Sequence, residues 1–319
     1  MRLAEIPFED YAREVLPQTA ELWAGRRNFE SYVAQSQQIA RSGYGRRNYS
    51  TIGLYDGGAL VASIKRYGRA LDFGPHRLRA VGIGAVFTSP QFRGRGYASA
   101  MLASLLDDSR NAGFDLAYLF SDIRPEFYRE IGFEVLPSRA ISMRSDGLSK
   151  SRVEVRLLEE GDWSGVRRCY ELNERIRPWG FARTPLVWEW IRLRMRHGSE
   201  RPVGVQTNLV VRRGRAIAAY VMGLRAPEND AYILDEYGFA DAQAALLVAP
   251  LLRSAAGDLR RITGWAPPEG VADVLGRASI RKRKDAIFMA APLSHHGAKW
   301  LQRAGAPNAG DGVWSFDHI

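Results

Sequence analysis

The chain is poor in the residues that staple or anchor a protein. It has one cysteine, Cys169, so no internal disulfide can form and nothing calls for an oxidising compartment. Lysine is scarce too: of 45 basic residues only five are lysine (65, 150, 282, 284 and 299), and the rest are arginine. Long apolar runs are missing. The longest, 216–224 and 244–252, fall far short of the roughly 20 residues that span a bilayer. Glu5, Glu9 and Asp10 interrupt the amino-terminal stretch where an export signal would need continuous apolar sequence. These absences predict a cytoplasmic protein without a membrane partner.

What remains is a globular composition. In 319 residues, 46% are hydrophobic and 25% charged, which excludes disorder and collagen-like order and suffices for two domains. The net charge of +10 raises nucleic acid as a partner. The arginines are scattered rather than massed, however, so no nucleic-acid partner is expected. The one dense cluster, Arg281-Lys282-Arg283-Lys284, lies between apolar stretches and reads as a solvated strand end or loop.

Residues 137–152 contain Pro137, Gly147 and five serines, with little apolar content beyond Ile141, Met143 and Leu148. The end of this stretch reads as a linker between domains at 1–147 and 152–319. Before it, apolar alternation predicts strands at 50–55, 59–67, 78–88 and 115–121, the first two joined by a turn at Asp56-Gly57-Gly58. Amphipathic segments at 10–23 and 29–41 predict helices ahead of that hairpin. A similar order returns later: a strand at 153–157, helices near 162–172 and 185–195, a hairpin at 213–215, a strand at 231–237, a helix from 241 to 254, a strand near 260–264 and a short helix at 271–275. The chain thus reads as a divergent tandem repeat of one α/β unit.

Chemistry concentrates in Val86-Phe87-Thr88-Ser89-Pro90-Gln91-Phe92-Arg93-Gly94-Arg95-Gly96-Tyr97-Ala98, a strand entering a helix through a glycine-rich loop. Met101, Leu102, Leu105 and Leu106 mark the helix by their spacing. Its start offers unpaired N–H groups and the positive end of the helix dipole, suited to a pyrophosphate. The loop lacks the Gly-Lys-Ser/Thr ending of a P-loop and the third glycine of a dinucleotide fingerprint.

This loop resembles the acetyl-coenzyme A loop of the GNAT N-acetyltransferase superfamily, whose Gln/Arg-x-x-Gly-x-Gly/Ala signature is matched by Gln91-Phe92-Arg93-Gly94-Arg95-Gly96. A second segment, Phe127-Tyr128-Arg129-Glu130-Ile131-Gly132-Phe133, is similar to the family's Phe-Tyr-x-x-x-Gly-Phe. The resemblance implies an α+β protein of tandem GNAT folds, with mixed, mostly antiparallel sheets flanked by helices. It also implies acetyl-CoA as cosubstrate, held by Val86, Phe87, Thr88, Gln91, Arg93, Gly94, Arg95, Gly96, Tyr97, Ala98, Ser99 and Ser121. Tyr128 is then the catalytic acid that protonates the departing thiolate, and the acetyl group passes directly to a primary amine of a small molecule or peptide, a small molecule ahead of a protein.

The pairing of two units is similar to the Eis-like branch, in which a degenerate second GNAT domain follows the first. Here Asp235-Glu236-Tyr237-Gly238-Phe239-Ala240-Asp241-Ala242 stands where a coenzyme loop is expected, with no Gly-x-Gly and two carboxylates that would repel a pyrophosphate. The sterol-carrier-like third domain of that branch has no counterpart in this sequence. No general base is visible, because 78–88 carries no Asp, Glu or His; Asp122 reads as a capping or loop carboxylate rather than a base. Val313–Phe316 reads as a final strand, and Asp235, Glu236 and Asp317 read as surface charges, the alternative being that they and the terminal carboxylate reach the cleft and bind the amine. The adjacent His295-His296 pair lacks partner ligands, so no metal is expected. The competing reading is a catalytically silent acyl-CoA-binding or RNA-associated regulatory protein; the Tyr128 segment favours the enzyme.

Overall fold

The computed structural model describes residues 1–25, 27–122, 124–150, 152–196, 204–276 and 278–319. Strand β1 (Arg2–Glu5) precedes helices Phe8–Glu14, Leu16–Trp23, Phe29–Arg41 and Gly43–Asn48. The single helix expected over 10–23 is two, divided at Val15, with Pro17 in the first turn of the second, where its missing N–H costs nothing. A meander follows: β2 (Tyr49–Asp56), β3 (Ala59–Phe73) and β4 (His76–Thr88). Gly57 and Gly58 make the first turn at φ +55 and +86, as their sequence predicts. Both long strands run beyond the expected limits of Tyr67 and Leu78 to a second turn at Gly74. The added length buries Leu71 against Leu78.

Helix Tyr97–Asn111 covers one face of this meander with Met101, Leu102, Leu105 and Leu106, and β5 (Leu116–Ser121) returns parallel to β4. Helix Pro125–Arg129 and β6 (Glu134–Val135) follow. The next strand, β7 (Arg139–Arg144), lies inside the serine-rich stretch whose low apolar content obscured it; Ile141 and Met143 are its buried face. The later strands are β8 (Arg156–Leu157), β9 (Trp179–Ala182), β10 (Val205–Gln206), β11 (Leu209–Arg213), β12 (Ala216–Ala226), β13 (Ala231–Phe239), β14 (Arg261–Trp265), β15 (Ser279–Lys282) and β16 (Ile287–Pro292). Val313–Phe316 is not the expected strand. The chain instead makes a 3-10 turn at Ser315–Asp317, where the Asp317 carboxylate accepts from the Trp314 N–H.

Two sheets result, ordered β1-β2-β3-β4-β5-β16-β6 and β8-β11-β12-β13-β14-β7-β15. Position by position they match, each with a parallel pair at its fourth and fifth strands (β4–β5, β13–β14). The sixth strand of each sheet comes from the other half of the chain: β16 pairs with β5 in the first, and β7 with β14 in the second. Strand β9 adds to the edge of β3 beyond β2, through Ala70–Phe73. The fold is therefore α+β with mixed, mainly antiparallel sheets.

Between the halves lies a buried ionic chain. Asp317 Oδ1 accepts from Arg69 of β3 and from Arg183, just after β9, each at 3.2 Å. Arg183 also pairs with Glu236 Oε2 at 2.6 Å, and the Tyr220 hydroxyl donates to Glu236 Oε1 at 2.7 Å. These ionic side chains have 0% exposure, so each charge depends on its partners. Burial opposes ionisation of Asp317, yet Arg183, then Arg69 and Arg177, hold its pKa below the ordinary carboxylate value. Glu174 nearby goes the other way: burial outweighs Arg177 and Arg183 and pushes it up to about 7.

Glu174 binds its proton more tightly folded than unfolded, so its contribution to stability is greatest below about 4.5 and declines as pH rises to about 7. Glu174→Gln is expected to raise the melting temperature at pH 8 by several degrees relative to its effect at pH 5, read by calorimetry across pH. Asp317→Ala at neutral pH leaves the buried Arg69 guanidinium without its carboxylate and Arg183 with Glu236 alone, and is expected to cost roughly 3–5 kcal/mol in denaturant unfolding.

Candidate active site

The geometry begins with a defect in β4. Its pairing with β3 shifts register between Ser63 and Lys65, opposite Ala85, which takes φ +48. On its other edge β4 pairs with β5 only from Ala80/Leu116 to Ile83/Leu119. Beyond that point β4 continues to Thr88 alongside β3, and β5 continues to Ser121 alongside β16. The two parallel strands part there, so Val86, Phe87 and Thr88 present backbone groups that no strand among the described residues takes up on that edge.

The glycine loop follows directly. Phe87 is buried against Trp23, the Arg93 guanidinium lies 6.0 Å from the Phe87 ring, and Arg93 Nε donates to the Thr88 carbonyl at 3.2 Å. Gly94 and Gly96 both have φ +77, and a Cβ on either would meet nothing within 4 Å. The backbone conformation, not crowding, thus requires glycine, and the space above stays open. Gly96 is the N-cap of helix Tyr97–Asn111 and offers no side-chain acceptor, leaving the N–H groups of Tyr97, Ala98 and Ser99 for an external anion. The Tyr97 hydroxyl donates to Asp56 Oδ2 at 2.7 Å, fixing the first turn to the β2–β3 hairpin. Gln91, Arg93, Arg95 and Ser99 are exposed around the loop.

Ser121 is buried at the end of β5. Asp122 Oδ1 accepts from the Ala286 N–H at 3.0 Å, tying a residue at φ +46 just ahead of β16; this carboxylate organises a loop, as its sequence position predicts. Tyr128 stands on helix Pro125–Arg129, with its ring 5.0 Å from Phe127 and 6.1 Å from Phe133, packed on the core shared with helix Tyr97–Asn111. Burial, with the Asp122 charge second, pushes its phenol up to about 12, so it is a proton carrier throughout the neutral range.

On the sheet face turned toward the second half lies a group of residues that the sequence did not single out. Phe120, on the part of β5 beyond its pairing with β4, has its ring 5.0 Å from His318, 5.5 Å from Trp265 and 5.1 Å from Phe288. The Arg283 guanidinium stacks 3.5 Å from the centre of the Trp265 ring and is buried. That corrects the expectation of a wholly solvated cluster at 281–284: Arg281 and Lys282 end β15 exposed, whereas Arg283 turns inward onto an aromatic face. The last residues cover β4, since a Cβ on Gly82 would meet Ile319 Cδ1 at 2.6 Å and one on Gly84 the Ile319 carbonyl carbon at 3.6 Å. Asp235, Glu236 and Asp317, expected as surface or cleft acids, are buried and engaged; Asp235 accepts from the Ser315 hydroxyl at 2.6 Å.

Comparison with known proteins agrees with this architecture. Residues 10–136 match the acetyltransferase (GNAT) domain family. No curated protein sequence matches the chain. Among solved structures, a probable N-acyltransferase from Enterococcus faecalis superposes with a TM-score of 0.72 at 16% identity, over 93% of this chain and 73% of its own. A GCN5-related N-acetyltransferase from Anabaena variabilis gives 0.71 at 14% identity, over 95% and 74%. Eis1 from Mycobacterium abscessus gives 0.62 at 16% identity, over 92% and 73%. At such identities the structures speak for the fold. Residues 10–136 thus match a GNAT acetyltransferase domain, and the solved structures extend the likeness of fold over more than nine-tenths of the chain.

Since the left-handed backbone at Gly96 penalises any side chain, Gly96→Ala is expected to lower stability by about 1 kcal/mol with no change in far-UV circular dichroism. Chemical denaturation measures it.

Proposed function

We propose that the chain transfers an acetyl group from acetyl-CoA directly to a primary amine of a small molecule. The observation that carries this reading is the parting of β4 and β5 after Ile83 and Leu119, immediately ahead of an uncapped helix start reached through two glycines at φ +77. A slot between parallel strands suits an extended amide-bearing arm, which can hydrogen-bond to the free strand edge. The helix start suits the pyrophosphate, with Arg93 and Arg95 beside it.

In this reading the backbone N–H groups around Val86 and Phe87 donate to the thioester oxygen as negative charge develops on it. Tyr128 donates to the departing sulfur. A phenol near 12 is a weaker acid than a thiol near roughly 8.5, so net protonation of the sulfur draws on the proton that the attacking amine releases. Asp122 Oδ1 is taken up by the Ala286 N–H, so the amine proton passes through water and restores the proton that Tyr128 gave to the sulfur. The acceptor approaches from the face formed by Phe120, Trp265 and His318, whose enclosure by the second half suits a compact amine better than a protein chain. The two halves are read as GNAT units at 1–147 and 152–319, the second lending wall and support rather than a second coenzyme site.

Calorimetry is expected to find one coenzyme A per chain, with Gly96→Glu abolishing binding in a protein that stays folded; two sites would refute the assignment. Tyr128→Phe is expected to lower kcat about a hundredfold with little change in coenzyme affinity, and unchanged turnover would make Tyr128 a packing residue.

A further inference from the structure

A cavity of about 590 Å³ opens on the first sheet at the end far from the glycine loop. Ala112 and Phe114, just beyond the carboxyl end of helix Tyr97–Asn111, form part of its wall, so the 15-residue helix, about 22 Å long, separates it from the coenzyme loop. The floor is made of small residues on adjacent strands. Ser50 faces Arg66 in the β2–β3 register, and Gly68 faces Val81 in the β3–β4 register. A Cβ on Gly68 would come no closer than 3.5 Å to Asn48, so that floor is open rather than crowded.

Charge in this cavity is one-sided. Of the five arginines that line it, Arg69 is committed to Asp317, which leaves Arg46, Arg47, Arg66 and Arg79 against Glu5, the single carboxylate among the described lining residues. Arg79 is held in place: its Nη1 donates to the carbonyls of Ala112 and Gly113 at 2.8 and 3.2 Å, and its guanidinium lies 4.6 Å from the Phe114 ring. It thereby neutralises the negative end of the helix, which would otherwise repel an anion. Among the described residues none of the four arginines pairs with a carboxylate through its side chain. A second observation points to a ligand. Ser50 is 7% exposed, its side chain shares a face with Arg66, and its hydroxyl oxygen is buried with no hydrogen-bond partner among the described residues, a loss that a bound acceptor atom would make good.

We infer that this cavity binds an organic polyphosphate of nucleoside di- or triphosphate size. Guanidinium groups converging from three separate segments match several phosphate oxygens, and the volume exceeds what a single phosphate fills. Phe114 and Val187 supply an apolar wall for the organic part. The arginines surround one concavity rather than forming a stripe, which favours a compact polyanion over a nucleic-acid strand. The assignment is independent of the coenzyme reading.

The test is isothermal calorimetry on the full chain at about 0.15 M salt, where only close charge pairs escape screening, with ATP, tripolyphosphate and inorganic phosphate as probes. ATP is expected to bind once per chain, more tightly than tripolyphosphate, and both more tightly than phosphate. Arg66→Gln and the exposed Arg47→Gln are each expected to weaken ATP about tenfold. Gly96→Glu is expected to leave ATP binding unchanged, which separates this cavity from the coenzyme loop. The inference is overturned if no probe binds, if binding ignores both arginine variants, if Gly96→Glu abolishes it, or if a single-stranded RNA binds more tightly than ATP through the same arginines. Should Arg66→Gln fail to fold, the Arg47→Gln result decides.

Discussion

Everything between the two halves depends on one carboxylate. Asp317 bonds Arg69 from the first sheet and Arg183 from the segment that follows β9, with both guanidinium groups removed from water. Without it Arg69 would be buried with no counter-charge and Arg183 would have Glu236 alone, so the closed interface requires the turn at Ser315–Asp317 to be seated. Once it is, β9 is fixed along β3, Phe181 and Trp179 are delivered to the core beside Phe288 and Trp300, and the last residues lie over Gly82 and Gly84. The face of β4 opposite helix Tyr97–Asn111 is thus shaped by residues more than two hundred positions away.

The parts of this protein that were legible in sequence are those encoded locally. Gly94 and Gly96 announce a backbone conformation, and the spacing of Met101, Leu102, Leu105 and Leu106 announces the helix behind them, because both signals need only near neighbours. Tyr128 was singled out by its motif, and the structure adds that it is half-buried against the core. What escaped was non-local. Strand β7 has only Ile141 and Met143 to mark it among serines and arginines, and its partners β14 and β15 lie more than a hundred residues on. The aromatic group of Phe120, Trp265 and His318 comes from three distant segments, none with a pattern of its own.

Arginine, so abundant here, has several distinct uses. Arg69 and Arg183 are buried ions that specify how the halves meet, and Arg283 is an aromatic-stacked wall residue. Arg46, Arg47, Arg66 and Arg79 converge on one concavity although they are spread over more than thirty residues of sequence. Scatter along the chain is therefore a poor guide to scatter in space. A guanidinium suits each use because it stacks on rings, bonds in a plane and keeps its charge when buried.

The exchange of β7 and β16 between the sheets also sets a timetable for synthesis. The edge of β5 that receives β16 is made about 165 residues before its partner. At ordinary elongation rates the edge waits on the order of 10–30 s, longer than most local folding steps take. During that interval the nascent first half carries β7 with no native neighbour and an open row of β5 amides, the state most prone to wrong pairing. The same exchange that ties the finished halves together leaves one strand edge of the growing chain open until the second half has been made.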